Sequence, residues 1–457
     1  MAISQERKGT IAVSLTNFLD SGCIVASGAA LSTWALAFNF GSQMTAIIGA
    51  IGANAFGAAV GALIGGFLTD RLGRKFIYTY NLLVYAIGAL LCMICFNLPM
   101  LLIGIVLLGL SVGAGVPASW SYISEMSGST RRAQNIGISQ FAWSCGPAII
   151  FALTLLCSLI VPATVTVNGT ETLLPAGTYG PFDGLFGMRF VFGILFAVSL
   201  VAWGLQRQLK ESKDWEEQRK RDKNIRNRYS FGKMLLQTFK NVTVIKTIIF
   251  LVFVYLTWNI VAGTMGQFMP YMYQAAGNLN ATETSLLQMV MWILTAVFSL
   301  LIFSALGDRV PHRLLYFLTS ALAVVAWLVM IFFGYQLAQG TADQYGWLLW
   351  VFVACWGISA GFSAQCFYAL WSTELFPTKF RGGAQGVMFF LVRGILGLWS
   401  LFCIGGLGVE TPNGFITAGI IMVFFLFVSL LVGTIGCPQT QGKTLDEITK
   451  RIYGDKF

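Results

Sequence analysis

Charge is what this sequence has least of. Only 11% of its 457 residues are Asp, Glu, Lys or Arg, where soluble domains carry about 25%. Hydrophobic residues make up 56%, 37 of them Phe, and the mean hydropathy is +0.73. Soluble cores cannot hide that much apolar surface, so the soluble classes are excluded. Histidine is scarcer still. The one His, His312, stands among basic residues with no nucleophile, base or ligand cluster beside it, which argues against an enzyme or a metal protein. No cofactor is expected. Nine Cys lie almost entirely inside apolar runs; Cys92 and Cys95 have C-x-x-C spacing, but no further Cys or His gathers with them, so they read as small residues on a membrane helix.

What the chain has in abundance is long apolar runs. A stretch of ~20 residues, at 1.5 Å per residue, crosses a bilayer core of roughly 30 Å. Twelve such stretches occur, centred near residues 22, 57, 87, 112, 149, 197, 257, 294, 324, 359, 395 and 424. The first, near residues 11 to 34, lacks a small-residue cleavage site and reads as retained. With both termini in the cytosol, all 29 Lys and Arg except Arg189 and Arg393, that is 27, fall on the cytosolic side or its boundary. This asymmetry fixes the orientation and accounts for the net charge of +10 without nucleic acid. The expected fold is an all-α, multi-pass protein of a cell membrane, plasma or bacterial inner.

The longest polar interval, residues 207–240, divides the spans six and six. The expected units are an N-terminal bundle (1–206), cytosolic linker helices (207–240), a C-terminal bundle (241–436) and a cytosolic tail (437–457). The halves repeat: "SEMSGSTRRAQNIG" (124–137) aligns without gaps with "TELFPTKFRGGAQG" (373–386), and "GDRVPHR" after span eight echoes "TDRLGRK" after span two. Equivalent motifs at the inner ends of two six-span halves imply two related bundles around a midplane site.

The loop after span two, "GGFLTDRLGRK", resembles the signature loop of the major facilitator superfamily. Three further motifs resemble the sugar porter family: "KESKDW" after span six, keeping Glu211, Ser212 and Trp215; "CPQTQGKTLDEI" after span twelve; and "GMRFVFG" at the start of span six. Within that family the chain is similar to bacterial inositol transporters of the minor type. The resemblance implies alternating access, with an inner gate of Asp70, Arg71 and Arg74, Glu125 with Arg132, and Glu374 with Arg381, reinforced by Glu211. Helix-end physics agrees, since Asp70 is placed to face the positive N-terminal end of a neighbouring helix, and Arg74, at i+4, to reach Glu125.

An ionisable group at membrane depth costs roughly 2.5 to 3.5 kcal/mol on insertion scales, so it marks function. Two strongly ionisable side chains lie near the midplane, Asp20 in the first half and Arg393 in the second. They are expected to face the central cavity, sense each other and couple protons to transport. "FLDSGCIVASGA" resembles the span-one motif of proton-using sugar porters, Asp20 included. The chain departs from the family elsewhere. Ile105 stands where proton-coupled xylose transporters carry an Arg, and "WNIVAGT" replaces the span-seven sugar motif, with Asn259 and Thr264 at two of its polar positions. The resemblance implies substrate contacts at Gln140, Asn259, Thr264, Trp371 and Arg393. The expected substrate is a sugar or polyol, best myo-inositol, moved with protons by a single chain acting as a monomer in the lipid bilayer. Because a guanidinium forks onto carboxylates, the alternative is a sugar acid or organic acid held by Arg393. Facilitated diffusion without protons and a non-transporting nutrient receptor are the remaining readings.

Overall fold

Twelve apolar helical spans make up the computed structural model, and each of the twelve expected centres falls inside one of them. The structure describes residues 5–127, 131–167, 170–174, 183–212, 215–217, 220, 242–275, 277, 279–378, 381–409 and 411–454. The expected linker helices lie mostly outside the described residues. Spans one to six are Gly9–Phe38, Ser42–Leu72, Arg74–Ile94, Leu98–Met126, Arg132–Ile160 and Phe186–Gln206. Spans seven to twelve are Val242–Gln267, Ala281–Ser304, His312–Ala338, Trp347–Glu374, Arg381–Gly405 and Pro412–Ile435. An even number of crossings puts the two ends of the chain on one side, the inner end.

Apolar side chains face both inward and outward, as they must when the solvent is lipid. Ile87, Phe253, Leu328 and Phe424 are exposed, while Trp34, Trp120 and Trp327 are fully buried. Small residues set the helix spacing. On spans two and four, a Cβ on Gly61 would lie 2.2 Å from the carbonyl oxygen of Leu110, so the pair packs backbone to backbone. The same device joins the halves, where a Cβ on Gly66 would come within 2.4 Å of the Gly382 carbonyl and 2.9 Å of the Gly386 Cα.

Two spans are interrupted. Span two breaks between Ile51 and Phe56, around "GANA", and span ten breaks at Phe362 and Ser363 between helices ending at Gly361 and starting at Ala364. Span eight ends in a π-helical stretch, Ser299–Ser304. Irregular backbone at membrane depth is tolerated where it is buried in protein or lines a cavity. Here Asn54 in the first break and Ser363 in the second both line the same cavity. On the outer side a short antiparallel pair, β1 (Thr164–Val167) and β2 (Thr170–Leu173), follows span five.

Candidate functional site

Midway along the bundles lies a cavity of about 60 Å³ between the halves. Span five contributes Gln140, Trp143, Ser144 and Pro147, whose spacing of three, four and seven residues puts them on one helix face. The second half faces them with Trp258, Asn259, Trp292, Trp356, Gln365 and Arg393. An amide bond closes the gap: Gln365 donates Nε2–H to Oε1 of Gln140 at 2.9 Å, leaving the Gln140 Nε2 with no hydrogen-bond partner. The Asn259 Oδ1 is also unpartnered. Indole faces and amide edges together make a surface that shields ring carbons and hydrogen-bonds hydroxyls.

Arg393 is the one charged residue in that wall among the described residues. Its Nη1 donates to the main-chain carbonyl of Asn54 at 3.0 Å and also to the Asn54 Oδ1, and its guanidinium sits 4.8 Å from the Phe389 ring centre. The broken span two makes this possible, because it leaves the Asn54 carbonyl outside the helical ladder and open to Arg393. Asn54 in turn donates to the Gly263 carbonyl of span seven at 2.9 Å.

Asp20 is fully buried, but it does not meet Arg393. Its carboxylate oxygens have no hydrogen-bond partner and point toward span four, where a Cβ on Gly115 would lie 3.5 Å from Asp20 Oδ2 and 2.8 Å from Asn81 Nδ2. The adjacent Ser21 lines the cavity; Asp20 looks into the first bundle instead. The expectation of a direct pair therefore gives way to two separate buried groups. Thr264 and Trp371 also differ from expectation, as neither is in the cavity wall. Thr264 accepts from the Trp399 indole at 3.0 Å. Trp371 lies six residues past Gln365, about 9 Å further toward the inner end, where its indole reaches His312 Nδ1 at 3.4 Å and its ring stacks on Tyr316.

Below the cavity, buried ion pairs join the two halves at the inner end. Arg74 Nη2 and Arg381 Nη1 both donate to Oε1 of Glu125, at 2.6 and 3.0 Å. Arg132 Nη1 meets Glu374 Oε1 at 2.7 Å. The pairing within each repeat, Glu125 with Arg132 and Glu374 with Arg381, is thus corrected: each glutamate takes the arginine of the other half. The reason is geometric, since span five abuts span eight and span eleven abuts span two, so each motif arginine at a span start faces across the divide.

Two aspartates complete the lock. Asp70 accepts from the main-chain N–H groups of Gly382 and Gly383 at 3.1 and 2.6 Å, at the start of span eleven. Asp308 accepts from Ala133 and Gln134 at 3.2 and 3.0 Å, at the start of span five. Each carboxylate satisfies orphan donors at the positive end of a helix in the opposite half. Asp308 was not among the expected gate residues, although the "GDRVPHR" echo carried its signal. Asn54 and Gln365 were missed too; a polar residue beside Gly in an apolar run was their only mark.

The motif after span six folds onto this lock. Glu211 accepts from the main-chain N–H of Arg74 and Lys75, both at 3.1 Å, Ser212 donates to Glu125 Oε2 at 2.5 Å, and the Trp215 indole donates to the Asp70 carbonyl at 3.0 Å. Arg71 is exposed and makes no ion pair among the described residues.

Two six-span halves around a midplane cavity, with ion pairs exchanged across one end, define a carrier that opens alternately to either side. The chain belongs to the Major Facilitator Superfamily, whose family model matches residues 13–401. It is 36% identical over 453 residues to the minor myo-inositol transporter IolF of Bacillus subtilis, covering 98% of this chain and 94% of that one. It is 26% identical over 426 residues to the arabinose-proton symporter of the same organism, covering 86% and 84%. Among solved structures, the proton:xylose symporter XylE bound to 6-bromo-6-deoxy-D-glucose superposes with a TM-score of 0.77 at 15% identity, covering 98% of each chain. This is a multi-pass membrane transporter with the sugar-porter fold.

Proposed function

We propose that this transporter carries a neutral polyol of the inositol kind, together with a proton, and acts as a monomer. The observation that supports this most is the cavity wall, whose amides and indoles suit hydroxyls and ring faces, while its single charge is already engaged by Asn54. The named relatives agree, one a myo-inositol transporter and another a proton symporter. In this reading Gln140, Asn259 and Arg393 orient the substrate. Asp20, unpartnered in the first bundle, takes and releases the proton, and rocking of the halves changes its access to water.

One observation favours a second reading, a carboxylate substrate: the Arg393 Nε is buried with no hydrogen-bond partner. Uptake of labelled myo-inositol into proteoliposomes, with and without a proton gradient, separates the readings. Accumulation driven by the gradient and abolished by Asp20→Asn supports polyol–proton symport. Entry that ignores both gradient and substitution means facilitated diffusion. No entry, together with uptake of a sugar acid, transfers the role to Arg393.

A further inference from the structure

A second, larger cavity of about 570 Å³ lies at the outer end, opposite the ion-paired gate and within the range of ordinary ligand pockets. Its polar wall is mostly hydroxyls, including Ser32, Thr33, Thr154, Ser158, Thr282 and Ser285, together with the amides of Gln274 and Asn280 and the carboxylate of Glu171. No ion pair joins the halves there among the described residues. The contacts that do are neutral: Ser32 donates to Gln274 Oε1 at 2.8 Å, while Thr154 to Ser285 and Ser158 to Thr282 are stretched to 3.5 Å. Hydrogen bonds that long contribute little, so a solute bearing several hydroxyls can replace them at small cost.

Span eight connects this vestibule with the central cavity. Thr284 lines the first, Trp292 lines the second, and Gln288 lies between them at i+4 from each, on one helix face. All three carry buried polar atoms with no partner in the protein: Thr284 Oγ1, both amide atoms of Gln288, and Trp292 Nε1. Gln288 is only 1% exposed. A buried amide that satisfies neither its donor nor its acceptor is costly, and structures retain one where it has a partner to meet. Such atoms at i, i+4 and i+8 on one helix, the first at the vestibule and the last at the cavity, offer hydroxyls successive partners between the two.

We propose that the outer vestibule is a first binding site for a hydroxyl-rich solute, and that Gln288 receives the solute from it and passes it to the central cavity. This rests on the polyol reading above. Because the row belongs to the outer half of the path, its loss affects entry from that side more than exit from the inner end.

The test is myo-inositol flux through full-length protein in oriented proteoliposomes, with KM measured separately for entry from the outer side and for exit from the inner side. Gln288→Leu, which keeps the volume and removes both hydrogen-bonding atoms, is expected to raise the outer KM about tenfold and to change the inner KM less than twofold. Thr154→Val with Ser158→Ala, at the half-buried vestibule wall, is expected to do the same on a smaller scale and serves where Gln288→Leu does not fold. Wild-type transport with both variants unchanged, or with both KM values raised equally, overturns the inference and leaves the polyol reading intact. A wild-type protein that moves no polyol overturns both.

Discussion

Glu125 and Arg381 lie 256 residues apart in sequence and 3.0 Å apart in space, one at the inner end of each half. The reciprocal pair, Arg132 with Glu374, closes at 2.7 Å. Glu125 also holds Arg74 of its own half, so the exchanged pairs add the contacts that tie one half to the other. Buried ion pairs contribute little net stability after desolvation, but breaking one partner is costly. That combination suits a lock that must be closed or fully open and hydrated.

Charge reversal tests the exchange. Arg132→Glu or Glu374→Arg alone leaves a like-charged, buried pair and should lower transport at least tenfold, with the inner end held open. The double substitution should recover a substantial part of the wild-type rate. Arg132→Glu combined with Glu125→Arg, the pairing within one half, should recover none. Flux in proteoliposomes reads both, and rescue by the second combination instead of the first would restore the within-repeat pairing.

Asp70 holds the span-eleven start by charge against the helix end, an interaction of about 1–2 kcal/mol when partly buried. Asp70→Asn should therefore slow turnover about five- to thirtyfold while the protein still inserts and folds. Equal turnover in variant and wild type would leave the loop with an orienting role only.

Asp308 makes the matching contact outside the spans, and there the pH dependence has a sign. Burial lifts its carboxyl above the ordinary aspartate range, against the Gln134 and Ala133 N–H groups and the Arg132 charge. Opening the inner end hydrates it and returns it toward about 3.9. The closed form thus binds the proton more tightly, so lowering the pH through the interval between these values favours closure, and raising it removes that bias. Spin-label distances across the inner end, followed against pH, should show a component present in the wild type and missing in Asp308→Asn.

Closure also needs bare backbone. A side chain at Gly66 meets the Gly382 carbonyl, so Gly66→Val should block the closed inner end and abolish transport without preventing insertion. Cys366, in the cavity wall, is a native reporter. Its labelling by an impermeant maleimide from the inner side, read by mass spectrometry, should rise severalfold in the variant.

The sequence carried the spans, because apolar runs of bilayer length have no other use, and it carried the members of the lock, because charges are rare enough to stand out. It did not carry their pairing. Residues 125, 132, 374 and 381 look equivalent within each repeat, and only the packing of span five on span eight and span eleven on span two decides which arginine reaches which glutamate. The cavity was half legible. Gln140, Asn259 and Arg393 line it, but Trp371 lies six residues past the wall residue Gln365, and the break that makes Asn54 an acceptor is a three-dimensional event marked in sequence by little more than Gly52 and Asn54.

Asn54 decides what Arg393 is free to bind. It joins the first half to two spans of the second, donating to Gly263 and accepting from Arg393 through both its side chain and its carbonyl. With Nη1 so occupied, only the side of the guanidinium that carries the unpartnered Nε is left for a carboxylate, which biases the cavity toward neutral solutes. Asn54→Ala removes the side-chain acceptor and leaves the main-chain bond, so Arg393 gains one free N–H beside its unpartnered Nε. Myo-inositol uptake should then show a KM raised about tenfold, the loss of roughly one hydrogen bond's worth of preorganisation. A sugar acid that fails to compete in the wild type should become a competitor in the variant. Competition by the acid in the wild type itself would show that Arg393 is available without help, and Asn54 would then be a structural tie between the halves with no part in selectivity.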